Sequence, residues 1–241
     1  MTTLLLWCDG TWSRGGARSA VSEAVKAEVT RWGWQFAYVD YPAKFGPATG
    51  WNDMSMEASV ALGMVAMEDA VRATPVRRVV VGGYSQGAIV ALRFVRDVLP
   101  RELDLEVMGL ATIGDPHTET HSGRAGIAGP LRITNVPRFT YWAPGDPIGD
   151  LPLGSPMRGL ADLGVWMTLR SPEESRRWAT EIGKAAAARR LQSWWAPWRW
   201  EDLASVGWYV GNYLGTAHTT DYVRLGIVRR MADDLVGHYG V

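Results

Sequence analysis

Apolar residues follow two alternating spacings up to about residue 145. Dense short runs at 4–8, 34–40, 78–82, 105–112 and 138–142 have the character of strands buried on both faces. Between them, 20–34, 55–74 and 88–99 space apolar residues three and four apart, as a helix with one buried stripe does. Val21, Ala24, Val25, Val29 and Trp32 form the first stripe; Ile89, Leu92, Val95 and Leu99 form the third. The segment 42–52 is rich in Gly and Pro and reads as a loop. Strand alternating with helix predicts an α/β fold, a parallel sheet flanked by helices on both faces.

After Asp150 the strand signals stop. Residues 157–170, 172–193 and 201–214 read as helical, separated by breaks such as Ala196-Pro197, and a last helix is expected over 220–236. Residues 151–214 are therefore predicted to form a helical insertion within one domain spanning 1–241. The sequence contains no internal repeat, low-complexity tract or long charged run.

Composition narrows the function classes. Lys plus Arg and Asp plus Glu each total 25, so no basic face for nucleic acid is implied. Cys8 is the single cysteine, which excludes an intrachain disulfide and a thiolate zinc cluster. The first eight residues are apolar but short, lack a basic start and run into Asp9-Gly10, so they read as a strand and not as a signal peptide. No run is long enough to span a membrane. The 13 tryptophans are unusual, and Trp194, Trp195, Trp198 and Trp200 crowd one stretch of the insertion. Such a cluster marks a core, an interface or an amphipathic binding wall.

Chemistry concentrates at Gly83-Tyr84-Ser85-Gln86-Gly87. This G-x-S-x-G lies between a β-branched run and a helical stripe, the setting of a nucleophile elbow. A serine nucleophile needs a base, and the base needs a carboxylate. Four histidines are available: His117, His121, His218 and His238. In this architecture the order is Ser, acid, His. His117 and His121 precede the favoured acid loop, and His238 sits in the terminal tail. His218, in a loop entering the last helix, is the expected base. Asp146, after the strand 138–142, is the expected acid, with Asp150 and then Asp115 as alternatives. Oxyanion donors are expected from the backbone of Gln86 and Thr11, with Gly10 allowing close approach. Trp12 and Tyr84 are expected to contact substrate.

These residues resemble the cutinase-like serine esterases. The resemblance rests on Gly83-Tyr84-Ser85-Gln86-Gly87-Ala88, the early Gly10-Thr11 and Gly145-Asp146 after a late strand. The separation of Asp146 from His218 by a helical stretch is similar to the lysin B enzymes of phages infecting mycobacteria. Cutinases keep acid and base close, and secreted cutinases carry disulfides that this chain cannot form. Ile113-Gly114-Asp115-Pro116 resembles a Gly-Asn-Pro turn of the family with Asp in place of Asn. The resemblance implies an α/β-hydrolase fold and a phage lysis enzyme that hydrolyses mycolyl esters of the cell envelope. It would use Ser85, Asp146 and His218 with no metal or cofactor. Such an enzyme is made in the host cytoplasm and acts at the envelope after release. The expected partner is this lipid ester substrate, with no stable membrane insertion and a monomeric chain. Two other readings stay open: a general lipase or polyester hydrolase, and a non-catalytic relative that binds a ligand.

Overall fold

The computed structural model describes residues 2–11, 13, 16–155, 157–159 and 216–240, together with Glu173, Arg176 and Thr180. Its centre is a five-stranded parallel sheet in the order β2-β1-β3-β4-β6. The strands are β1 (Thr3–Cys8), β2 (Gln35–Tyr38), β3 (Arg78–Tyr84), β4 (Gly109–Ile113) and β6 (Arg138–Tyr141). A short antiparallel pair, β5 (Arg124–Ala125) with β7 (Leu151–Pro152), lies outside that sheet.

Burial on both faces explains the apolar density of the central strands. In β1, Leu5 and Trp7 join one core with Val80 of β3, while Leu4, Leu6 and Cys8 join a second with Val79 and Val81. The first core is closed by α1 (Ala20–Arg31) through Val21, Val25 and Val29. It is also closed by the C-terminal helix α5 (Ile227–Tyr239) through Met231 and Leu235. The second core is closed by α2 (Met56–Ala73) through Val60 and Met67, and by α3 (Gln86–Arg93) through Ile89 and Leu92. Ser19 and Ser55 cap α1 and α2 by accepting from Ser22 N and Ala58 N, at 3.1 and 3.2 Å.

The differences from the sequence reading have local causes. The segment 88–99 begins at Gln86 and changes at Phe94–Val98 into a π-helical turn. The terminal helix is two helices, α4 (Asp221–Arg224) and α5, broken at Gly226 with φ +70°. Only a residue without a Cβ takes that backbone at little cost. β7 shows that strand structure continues just past Asp150, because its two residues pair with β5 and not with the main sheet. Beyond Gly159, and apart from Glu173, Arg176 and Thr180, the expected insertion, including the tryptophan cluster, lies outside the described residues.

Parallel pairing points the ends of β1, β3, β4 and β6 the same way. That carboxyl edge is where open α/β sheets place their sites. It receives the loops beginning at Asp9, Ser85, Gly114 and Trp142.

Candidate active site

Ser85 sits between β3 and α3 with φ +56° and ψ −120°. A serine in this region costs about 1–3 kcal/mol, which the surrounding fold must supply. The close approach is possible because both flanking positions are glycine. A Cβ on Gly83 would lie 2.2 Å from Gly87 O, and one on Gly87 would lie 2.1 Å from Cys8 O. The Ser85 side chain remains partly accessible at the sheet edge.

Its hydroxyl meets His218. Ser85 Oγ is 2.9 Å from His218 Nε2, and His218 Nδ1 is 3.0 Å from both Oδ1 and Oδ2 of Asp146. His218 is 5% exposed and Asp146 is fully buried. A buried carboxylate must be hydrogen bonded. Ile148 N–H donates to Asp146 Oδ1 at 2.9 Å, and the Tyr222 hydroxyl donates to Oδ2. A hydroxyl on an imidazole whose far nitrogen rests on a buried carboxylate is arranged for proton withdrawal from the hydroxyl.

Thr11 and Gln86 also come together. The Thr11 hydroxyl donates to Gln86 Oε1 at 3.1 Å, and Gln86 Nε2 donates to Lys44 O at 2.8 Å. The Gln86 side chain thus ties the loop after β1 to the loop after β2. The Gln86 backbone opens α3, where first-turn N–H groups lack intrahelical acceptors and favour negative charge.

The sequence reading passed over Asp9. Its Oδ1 accepts from Gly10 N at 2.7 Å, Ser19 Oγ at 2.6 Å and Ser22 Oγ at 2.7 Å, and its Oδ2 accepts from Ser19 N at 2.7 Å. This buried carboxylate fixes the loop that carries Thr11. Its place directly before Gly10 is the one signal in the sequence.

The other expected residues take different places. Tyr84, expected to contact substrate, packs against the base. It is buried, stacks on His218 with centroids 5.2 Å apart, and donates its hydroxyl to the His218 carbonyl. Trp12 lies outside the described residues. Asp115 instead accepts from Arg138 Nη2 at 2.8 Å and from His117 N at 2.8 Å. His117 Nδ1 lies 2.9 Å from Gly129 O, and burial lowers its pKa. His238 is exposed near the end of α5, edge-on to Phe139.

Asp150 braces the turn that carries Asp146. Its Oδ1 accepts from Arg124 Nε at 2.6 Å and lies 2.9 Å from His121 Nε2, and its Oδ2 accepts from Gly145 N at 2.8 Å. His121 in turn stacks on Trp142 at 3.9 Å. Burial alone would raise the Asp150 pKa. The bonds from Arg124, Gly145 N–H and His121 outweigh it and hold the carboxyl below its ordinary value. A carboxyl depressed in the fold contributes stability above its unfolded value of about 3.9 and loses that contribution as pH falls. Asp150→Asn should therefore destabilise the protein by about 1–2 kcal/mol at neutral pH, because it removes the carboxylate to which the part-exposed Arg124 donates. Urea unfolding at several pH values checks this: the gap to wild type should narrow below about pH 4. A gap that stays constant into strong acid would contradict the assignment.

Among the described residues, no group of three or more His, Cys, Asp or Glu side chains could hold a metal ion. No described helix is long and apolar enough to cross a membrane.

Residues 33–147 match the family described as "PE-PPE domain", a stretch that includes Ser85 and Asp146 but ends before His218. No curated protein matches the chain. The structure is similar to lysin B from Mycobacteriophage D29, at 18% identity and a TM-score of 0.50, covering 78% of this chain and 89% of that one. It also aligns with the catalytic core of acetyl xylan esterase from Trichoderma reesei, at 15% identity and a TM-score of 0.47, covering 76% and 98%. A cutinase-like protein from Cryptococcus sp. aligns at 19% identity and a TM-score of 0.41, covering 77% and 94%. The chain shares the fold of lysin B, a parallel sheet flanked by helices.

Proposed function

We propose that this protein is a serine carboxylic-ester hydrolase in which Ser85, His218 and Asp146 act as nucleophile, base and acid. The observation that carries the reading is the continuous path from Ser85 Oγ through His218 to the buried Asp146, with distances of 2.9 and 3.0 Å. The strained backbone at Ser85 and the fold likeness to lysin B support it.

In this mechanism Ser85 Oγ attacks the ester carbonyl carbon as its proton passes to His218 Nε2. Asp146 holds the Nδ1–H tautomer and stabilises the imidazolium. Backbone N–H groups of Gln86 and Thr11 receive the oxyanion of the tetrahedral intermediate. Collapse breaks the bond to the alcohol oxygen, which leaves with the proton from His218. Water, deprotonated by the same histidine, then attacks the acyl-Ser85 ester and releases the acid.

For substrate, we favour a long-chain acyl ester of the mycolyl type found in the mycobacterial cell envelope. Support comes from the likeness to lysin B and from the 71 residues that separate Asp146 and His218 in the chain (147–217). The test pairs p-nitrophenyl esters of rising chain length with purified mycolyl-arabinogalactan. Release of free mycolic acid, with kcat/KM rising along the ester series, is the expected result. Turnover of the synthetic esters without release from cell wall would leave a general lipase or polyester hydrolase. Absence of both, with no labelling of Ser85 by a fluorophosphonate, would refute the enzyme reading.

A further inference from the structure

Asp146 is pinned at both oxygens by donors other than the histidine. Ile148 N–H holds Oδ1 at 2.9 Å, and the Tyr222 hydroxyl holds Oδ2. Between the two pins, His218 Nδ1 sits equally far from either oxygen, at 3.0 Å. Tyr222 is fully buried, edge-on to His218 at 6.5 Å and to Tyr84 at 6.1 Å. Tyr84 closes the arrangement by stacking on the His218 ring. Tyr84 thus covers a face of the imidazole while Tyr222 meets it edge-on.

We propose that Tyr222 is a positioning residue that sets both the orientation of Asp146 and the strength of its hydrogen bond to His218. The inference rests on the hydrolase reading above and deepens it.

Three physical points support it. A carboxylate rotates about its own axis unless each oxygen is held, and Tyr222 supplies one of two holds. Tyr222 lies four residues after His218, at the start of α4, so its bond ties the loop bearing the histidine to the turn bearing the acid. That tie does not pass through the imidazole and persists while the imidazole gains and loses its proton. Finally, a hydroxyl donating to Oδ2 withdraws electron density that would otherwise strengthen the bond to His218 Nδ1–H. Tyr222 therefore keeps the pair from holding the imidazolium too tightly. Burial and the adjacent Asp146 raise the Tyr222 pKa well above its ordinary value, so the phenol stays a donor through any working pH.

The test compares Tyr222→Phe with Tyr239→Phe in the intact chain. Tyr239 donates to Met108 O at 2.8 Å, just before β4 and so at the opposite end of the sheet, and serves as a control for the loss of a partly buried hydroxyl. Three readouts are used: kcat and KM for a p-nitrophenyl ester, the pH profile, and the downfield proton NMR signal of His218 Nδ1–H with its titration midpoint. Tyr222→Phe should lower kcat about tenfold with KM little changed, the rate equivalent of one hydrogen bond to a charged group. The acid limb and the His218 midpoint should rise together by roughly half a pH unit, because the carboxylate, relieved of a donor, accepts more strongly from the imidazolium. Tyr239→Phe should change the melting temperature alone. Site-specific 3-fluorotyrosine at 222, a stronger donor of nearly the same size, should move the midpoint the other way and covers the case in which Tyr222→Phe folds poorly. Unchanged midpoints and an unchanged Nδ1–H signal in both Tyr222 variants would overturn the inference. Failure of the wild type to cleave esters would remove the proposed function, and the NMR comparison would still decide the role of Tyr222.

Discussion

Ser85→Ala is expected to lower kcat for ester hydrolysis by roughly four to six orders of magnitude, the scale at which an activated serine contributes. The fold should be preserved. Ser85 makes no side-chain cap to α3, so its Oγ is not what starts that helix. Alanine meets the same backbone strain at φ +56° that serine already bears. Substrate binding should also persist, because removal of one hydroxyl changes little of the surface that an ester would contact. Single-turnover assays with a long-chain ester, beside calorimetric melting of both proteins, separate chemistry from folding. Residual activity above about a tenth would exclude Ser85 as nucleophile, since no triad enzyme keeps that much without it.

The sheet was legible because burial on both faces leaves a dense apolar signature, as at Leu4–Cys8 and Arg78–Gly82. The elbow was legible for a different reason: Gly83 and Gly87 answer to contacts with Gly87 O and Cys8 O, which no larger residue could share. That His218 and Asp146 meet at Ser85 was expected from chain order and the position of the loops relative to the strands. What stayed hidden was of two kinds. The break at Gly226 falls inside an otherwise continuous helical stripe, and only its backbone angle reveals it. The supports of the site depend on residues far apart in sequence. Arg124 and His121 reach Asp150 across 26 and 29 positions, and Tyr222 reaches Asp146 across 76. Periodicity carries no information about such pairs. Its place beside the nucleophile leads to the expectation that Tyr84 contacts substrate, while the packing of its ring against His218 is again a contact between residues far apart in sequence.

The second large effect concerns the base and its acid. His218→Ala should cost nearly as much as Ser85→Ala, because the two act as one unit and losing either leaves only binding and oxyanion stabilisation. His238→Ala should be neutral, since that ring is exposed near the end of α5, remote from the carboxyl edge. Asp146→Asn is the more informative variant. The main-chain Ile148 N–H can only donate, so the asparagine carbonyl oxygen must replace Oδ1. The amide group then takes the place of Oδ2, beside a Tyr222 hydroxyl that can turn to accept from it. His218 Nδ1, equally far from the two positions, then meets an N–H donor on one side, which favours the tautomer in which it accepts. Its proton moves to Nε2, which points at Ser85 Oγ and can no longer take a proton from it. The expected loss is about 10⁴-fold in kcat at neutral pH, with a fold close to wild type. Partial recovery at high pH is expected, where hydroxide replaces the missing base. Steady-state rates across pH for the three variants, with melting curves to confirm folding, supply the check. If His238→Ala loses activity while His218→Ala keeps it, the assignment of the base is wrong. If Asp146→Asn stays within about tenfold of wild type, the carboxylate does not set the tautomer.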